Sequence, residues 1–193
     1  MDRRKALRAL SACGPWALMP ALHARPQAEA LIRQGGVVVV FRHADAPGTF
    51  DPPEVRLEDC STQRNLGPQG REQARQIGQW FSQRGLKPLD VLSSPWCRCQ
   101  DTARLAFGSA EVWPALGSTV GVAADELTLR STQWRQTLQA ASRRRPGFEV
   151  WVTHQFVMSA MAGRSANSGE GWVIRPGSDG AVQILATLPA SQT

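Results

Sequence analysis

The feature that most constrains the fold is the run Val37-Val38-Val39-Val40-Phe41, followed at once by Arg42 and His43. Five apolar residues in succession, four of them β-branched, have no polar face to turn towards water. They read as a strand buried on both sides, the position of a central strand in a parallel sheet. A second apolar run, Phe148-Glu149-Val150-Trp151-Val152-Thr153, also ends on a histidine, His154, and a shorter one, Leu89 to Ser94, lies between them. Helical patterns separate the three. This alternation predicts an α/β fold, a three-layer αβα sandwich with a mainly parallel central sheet. In such folds ligands bind beyond the carboxyl ends of the strands, which selects Arg42-His43, Ser93 to Arg98, and His154.

The first residues stand apart. Residues 1–24 have a basic start, an apolar middle and small residues after it, the layout of an export signal. Arg3-Arg4 fits either the twin-arginine or the general route, with cleavage after Ala24 and residues 25–193 left as a single domain. A lipid anchor at Cys13 is disfavoured because Arg8 interrupts the segment before it. An ordinary first helix is disfavoured by Gly14-Pro15. Removal of the signal takes Arg3, Arg4, Lys5 and Arg8 together with Asp2, so the formal charge falls from +6 to +3. Arg143-Arg144-Arg145 reads as a solvated loop, and no nucleic-acid module is present. No run approaches the ~20 apolar residues of a membrane span, so no membrane insertion is expected after signal removal. The location implied is periplasmic or secreted.

Cys60, Cys97 and Cys99 would remain after cleavage. They permit one disulfide, Cys60 to Cys97 if the segments carrying them converge, with the spare thiol buried or reactive. There is no zinc spacing, and neither a metal nor a cofactor is expected.

Along the chain, residues 27–34 predict a short helix closed by Gly35-Gly36. Residues 44–67 are polar and Pro-rich without helical or strand period, a long loop of the kind that tends to be functional. A helix starting near Pro68 turns Ala74, Ile77, Trp80 and Phe81 inward. The next, after Pro95, turns Thr102, Leu105 and Ala106 inward. Residues 113–128 carry a weak pattern, and residues 131–145 predict a helix with Trp134, Leu138 and Ala141 on one side. A short helix over 156–162 and a pair of closing strands joined at Gly177-Ser178-Asp179-Gly180 complete the chain.

Arg98 falls in the first turn of a helix, where unpaired N–H groups and the helix dipole already favour an anion. Arginine's planar fork matches phosphate oxygens, so Arg42, Arg98 and the histidines together suit a tetrahedral dianion. Phe41-Arg42-His43-Ala44, Arg64-Asn65-Leu66 with Gly70 and Gln73-Ala74, Leu92-Ser93-Ser94-Pro95 with Arg98 and Asp101-Thr102-Ala103, and Val152-Thr153-His154 resemble, in order, the histidine phosphatase superfamily. The resemblance covers residues 36 to about 187 and implies the phosphoglycerate mutase-like fold. It implies that His43 is a nucleophile forming a phosphohistidine, and that Arg42, Arg98 and His154 hold the phosphoryl oxygens. The implied activity is a metal-independent phosphohydrolase acting on a phosphomonoester or phosphoramidate, carried by a small molecule or a phosphoprotein. A phosphate-binding protein on the same fold without turnover is the alternative.

Two further expectations concern geometry and proton supply. Consecutive strand residues face opposite ways, so the chain should turn at Arg42 if Arg42 and His43 share a ligand. A departing alkoxide needs an acid. Gln155 stands where one branch of the family has an aspartate, and Glu126, in Asp125-Glu126-Leu127, is the expected donor. The loop from Asp45 to Asp59 and the segment from Trp113 to Arg130 should line the pocket mouth.

Overall fold

The computed structural model describes residues 21–190. Cys13 and most of the expected export signal lie outside the described residues. Its last four residues begin helix α1, Ala21–Gln34, which starts ahead of the expected Gln27; the anticipated cleavage point therefore falls inside this helix.

The chain reverses at Gly35 and Gly36, with φ of 72° and 67°, and enters β1, Val37–Arg42. After the long loop come α2, Pro68–Ser82, β2, Asp90–Ser93, α3, Cys97–Phe107, and a two-residue β3, Glu111–Val112. Then come α4, Ala124–Ala141, β4, Phe148–Thr153, α5, Gln155–Ala162, β5, Gly171–Pro176, and β6, Val182–Leu188. The sheet order is β3-β2-β4-β1-β5-β6. The first four strands in that order run parallel, and β5 and β6 add an antiparallel hairpin at the other edge.

The valine run supplies both cores. Val37, Val39 and Phe41 pack with Ile32 of α1, Ile77 and Phe81 of α2 and Ala103 of α3. Val38 and Val40 point the other way, to Trp134 and Leu138 of α4 and Val157 and Met158 of α5. Helices therefore cover both faces, giving the three layers. Every residue of β4 is buried, and the two strands that end in histidine lie side by side at the centre of the sheet. In register, Arg42 pairs with Thr153, which brings the next residue of each strand, His43 and His154, side by side.

Three sequence expectations are corrected. Helix α4 begins at Ala124 instead of Ser131 and ends at Ala141 instead of Arg145. Its first two turns are mostly solvent-exposed, and a helix without an apolar stripe leaves no periodic signal. On α3 the buried positions are Cys97, Arg98, Cys99, Thr102 and Ala103, with Leu105 and Ala106 half-buried. Arg42 remains in the strand, and the chain leaves β geometry only at His43.

Helix α2 crosses the segment after His43 at contact distance. A Cβ on Gly70 would lie 1.8 Å from the Asp45 carbonyl oxygen, so that segment and the helix cannot both keep their places. Gly70→Ala is expected to cost about 1–3 kcal/mol, as overpacked sites do, lowering Tm by about 5 °C in a thermal melt.

Candidate active site

His43 is buried at the end of β1, and its backbone N–H donates to the Thr153 carbonyl at 2.9 Å. Its Nδ1 lies 2.7 Å from the Ala44 carbonyl oxygen. A carbonyl can only accept, so Nδ1 carries the proton and Nε2 keeps its lone pair; Nε2 has no hydrogen-bond partner among the described residues. The chain beyond is pinned twice. Ala44 N–H donates to Thr102 Oγ1 at 3.0 Å, and Asp45 N–H donates to Gln73 Oε1 at 2.9 Å. These contacts give a physical role to Gln73 and Thr102, which the sequence offered only as parts of a pattern.

His154 caps the adjacent strand with its ring centroid 5.6 Å from that of His43. Arg98 Nη2 donates to its Nδ1 at 3.4 Å, so Nε2 holds the proton and donates to Ser94 Oγ at 2.7 Å. Trp96 packs edge-on against the ring at 5.2 Å. Arg98 is itself buried, and its Nη1 donates to Asp51 Oδ1 at 2.8 Å and to the Arg64 carbonyl at 3.4 Å. Arg42 carries the strand alternation onto the α4 and α5 side, where its Nη1 donates to the Ala166 carbonyl at 2.9 Å. The length of the arginine lets it reach the shared cavity from that face without the expected turn.

The sequence reading missed two residues of the cavity, Arg64 and Asp51. Arg64 stood in the Arg64-Asn65-Leu66 pattern without a role; its guanidinium is fixed by the Ala46 carbonyl. Asp51 receives the Arg64 backbone N–H at 3.0 Å as well as Arg98. Its only sequence signal was its presence in a long polar loop. Burial works to raise the Asp51 pKa, but these donors and the arginine charges hold it below the ordinary carboxylate range.

The cavity is lined by Arg42, His43, Asp51, Arg64, Arg98 and His154 at its depth. Three guanidinium groups thus face one carboxylate. The Nε atoms of Arg42, Arg64 and Arg98 are all buried and lack any hydrogen-bond partner. Buried donors are normally paired, but these Nε atoms are sealed from the cavity; it is the three guanidinium groups lining it that make it a site for an anion with several oxygens.

Glu126 does not line this cavity. It is exposed in the first turn of α4, paired with Arg130 at 2.8 Å, and Arg130 turns to the Gly117 and Ser118 carbonyls. The loop 45–59 lines the mouth through Thr49 and Phe50; of the segment 113–130, Ser118 and Val120 do so. Cys60 and Cys97 are disulfide-bonded, tying this loop to the first residue of α3, beside Arg98. Gln63 adds a second tie, accepting the Cys97 N–H at 2.8 Å. The remaining thiol, Cys99, is buried with its pKa pushed up to about 12, chiefly by burial. It is a packing thiol and not a reactive one.

Burial, reinforced by Arg98, Arg42 and Arg64, pushes the His43 pKa down to about 3. The same causes hold His154 well below the ordinary imidazole value. Both rings are therefore neutral at any pH where the protein works. The unfolded chain, with ordinary histidines, takes up protons first as pH falls below about 6.5, so acid favours unfolding between there and the folded pKa. From pH 6.5 to pH 5, His43 alone should remove about 2 kcal/mol of stability. A Tm lower by about 5 °C at pH 5 than at pH 7 is expected in melts without bound anion, and His43→Gln should flatten the dependence.

The model of the histidine phosphatase superfamily (branch 1) matches residues 38–117. No curated protein matches the sequence. Among solved structures, the protein histidine phosphatase SixA complexed with tungstate superposes with a TM-score of 0.55 at 18% identity, covering 80% of this chain and 97% of that one. An open reading frame of Mycobacterium tuberculosis superposes with a TM-score of 0.60 at 18% identity, covering 80% and 98%. A mycobacterial glucosyl-3-phosphoglycerate phosphatase complexed with VO3 superposes with 0.55 at 14% identity, covering 81% and 99%. The Arg-His strand end, the Ser-Ser-Pro-x-x-Arg turn and the fold agree with that family model over residues 38–117 and with the fold of these solved structures.

Proposed function

We propose that the protein is a phosphohydrolase that moves a phosphoryl group from a phosphomonoester or phosphoramidate to His43 and then to water. The observation that carries this reading is the neutral ring of His43, with Nε2 unpartnered at a cavity lined by three arginines. In the first step the Nε2 lone pair forms a P–N bond while the bond to the leaving group breaks, the leaving group taking the electron pair. In the second, a water oxygen bonds to phosphorus, the P–N bond breaks, and orthophosphate departs. Charge spreads over the equatorial oxygens in both, so catalysis rests on positioning and on preorganised cations. Arg42, Arg64 and Arg98 supply these, and no metal or cofactor is required. His154 can join them by turning its Nε2–H from Ser94 to a phosphoryl oxygen.

A departing alkoxide needs a proton. Among the described carboxylates only Asp51 lines the cavity, and we assign it the donor role in place of Glu126. A dianion beside it raises its affinity for a proton. Labelled aryl phosphate, quenched during turnover, should leave an acid-labile, base-stable phosphoryl label on His43; steady turnover with no such label overturns the reading. The hold of Arg98 and Arg64 on Asp51, which keeps its carboxyl below the ordinary range, favours the second reading, a phosphate-binding protein without turnover. Efficient hydrolysis of an alkyl phosphate rejects that alternative. The disulfide between Cys60 and Cys97 supports the periplasmic or secreted location expected from the N-terminal sequence.

A further inference from the structure

The depth of the cavity and its mouth have opposite chemistry. The cavity holds about 100 Å³, space for about three waters at ~30 Å³ each. That is the scale of one phosphoryl group and leaves the carbon body of a substrate outside, against the rim. The rim carries Phe50, Val120 and Phe156, which are 70%, 57% and 50% exposed. They come from three unrelated places: the loop after β1, the segment before α4 and the first turn of α5. Single exposed apolar residues need no explanation. Three of the seven large exposed hydrophobics among the described residues converging on one polar cavity do.

The other rim side chains, Thr49, Ser118 and Gln155, are uncharged. No lysine lines the cavity, and its three arginines are the ones around the phosphoryl position. A second phosphate, a carboxylate or a chain of sugar hydroxyls would find few partners there, whereas an alkyl or aryl body would cover apolar surface that is otherwise wet.

We propose that Phe50, Val120 and Phe156 form an apolar subsite, so that the substrate is a monophosphate with an alkyl or aryl body. The proposal rests on the anion site being a phosphoryl site. Binding of non-hydrolysable ligands separates the two ideas, because it requires no turnover. Calorimetry on the full chain should give a Kd for hexylphosphonate about tenfold or more below that for methylphosphonate, with 2-aminoethylphosphonate no tighter than methylphosphonate. In Phe50→Ser, Val120→Ser and Phe156→Ser the ratio of methyl- to hexylphosphonate Kd should fall towards one in at least two of the three. Each ratio is internal to one protein, so a loss of folded material does not mimic the effect. Equal Kd values for the two alkylphosphonates in the unaltered protein overturn the proposal, as do unchanged ratios in all three variants. Inorganic phosphate is the control: its binding alongside equal alkylphosphonate affinities rejects the apolar subsite alone, and its failure to bind rejects the phosphoryl site too.

Discussion

His43→Ala is expected to lower kcat/KM for aryl phosphate hydrolysis by about 10³-fold or more, the scale seen when a nucleophile is removed. Alanine removes the one unpartnered ring nitrogen at the cavity and leaves the arginine cluster in place. Loss of a buried imidazole whose Nδ1 is bonded only to the next carbonyl should disturb the fold little. Orthophosphate should therefore still bind, and binding with turnover gone is the signature to look for. Full activity in this variant would remove the covalent mechanism altogether. His43→Asn, similar in bulk and hydrogen bonding, should be as inactive as alanine, which separates chemistry from packing.

Arg98→Ala should lower kcat/KM by about 10²- to 10³-fold, the range for loss of one preorganised donor to transition-state charge. Arg98 is the hinge of the electrostatics: it touches Asp51, His154 and the Arg64 carbonyl at once. Without it, Asp51 loses its ion-pair partner and keeps only the weaker pull of Arg64, a carboxylate lining a cavity suited to a dianion. The loss should appear in both KM and kcat, and orthophosphate affinity should fall with it. Arg98→Lys should recover little, since a single ammonium cannot span Asp51 and His154 as the guanidinium fork does. Asp51→Asn added to Arg98→Ala should restore part of the orthophosphate affinity, a non-additive result expected for neighbours in one network.

The sheet was legible in the sequence because its central strands are buried on both faces and carry continuous apolar runs. Their ends named His43 and His154, and the loop after Leu92 led to Arg98. What escaped was set by distance in the chain. Asp51 and Arg64 lie in a loop without periodicity, and only its folding across α3 brings them to Arg98. The first turns of α4 escaped for a different reason, being too exposed to impose a pattern; the choice of Glu126 rests on the family resemblance, and its place in those exposed turns keeps it off the cavity. The expected turn at Arg42 failed because it treated an arginine as if its reach were that of a short side chain.

The three guanidinium groups around the cavity bear on how firmly a product anion is held. The scaffold holds these like charges close around one cavity that also carries Asp51. Orthophosphate, the product of the proposed reaction, would meet the same guanidinium groups as the phosphoryl group of the substrate. An anion there offsets their mutual repulsion, so orthophosphate is expected to stabilise the protein and to compete with substrate. The same anion in a buffer will raise the melting temperature and slow the turnover together.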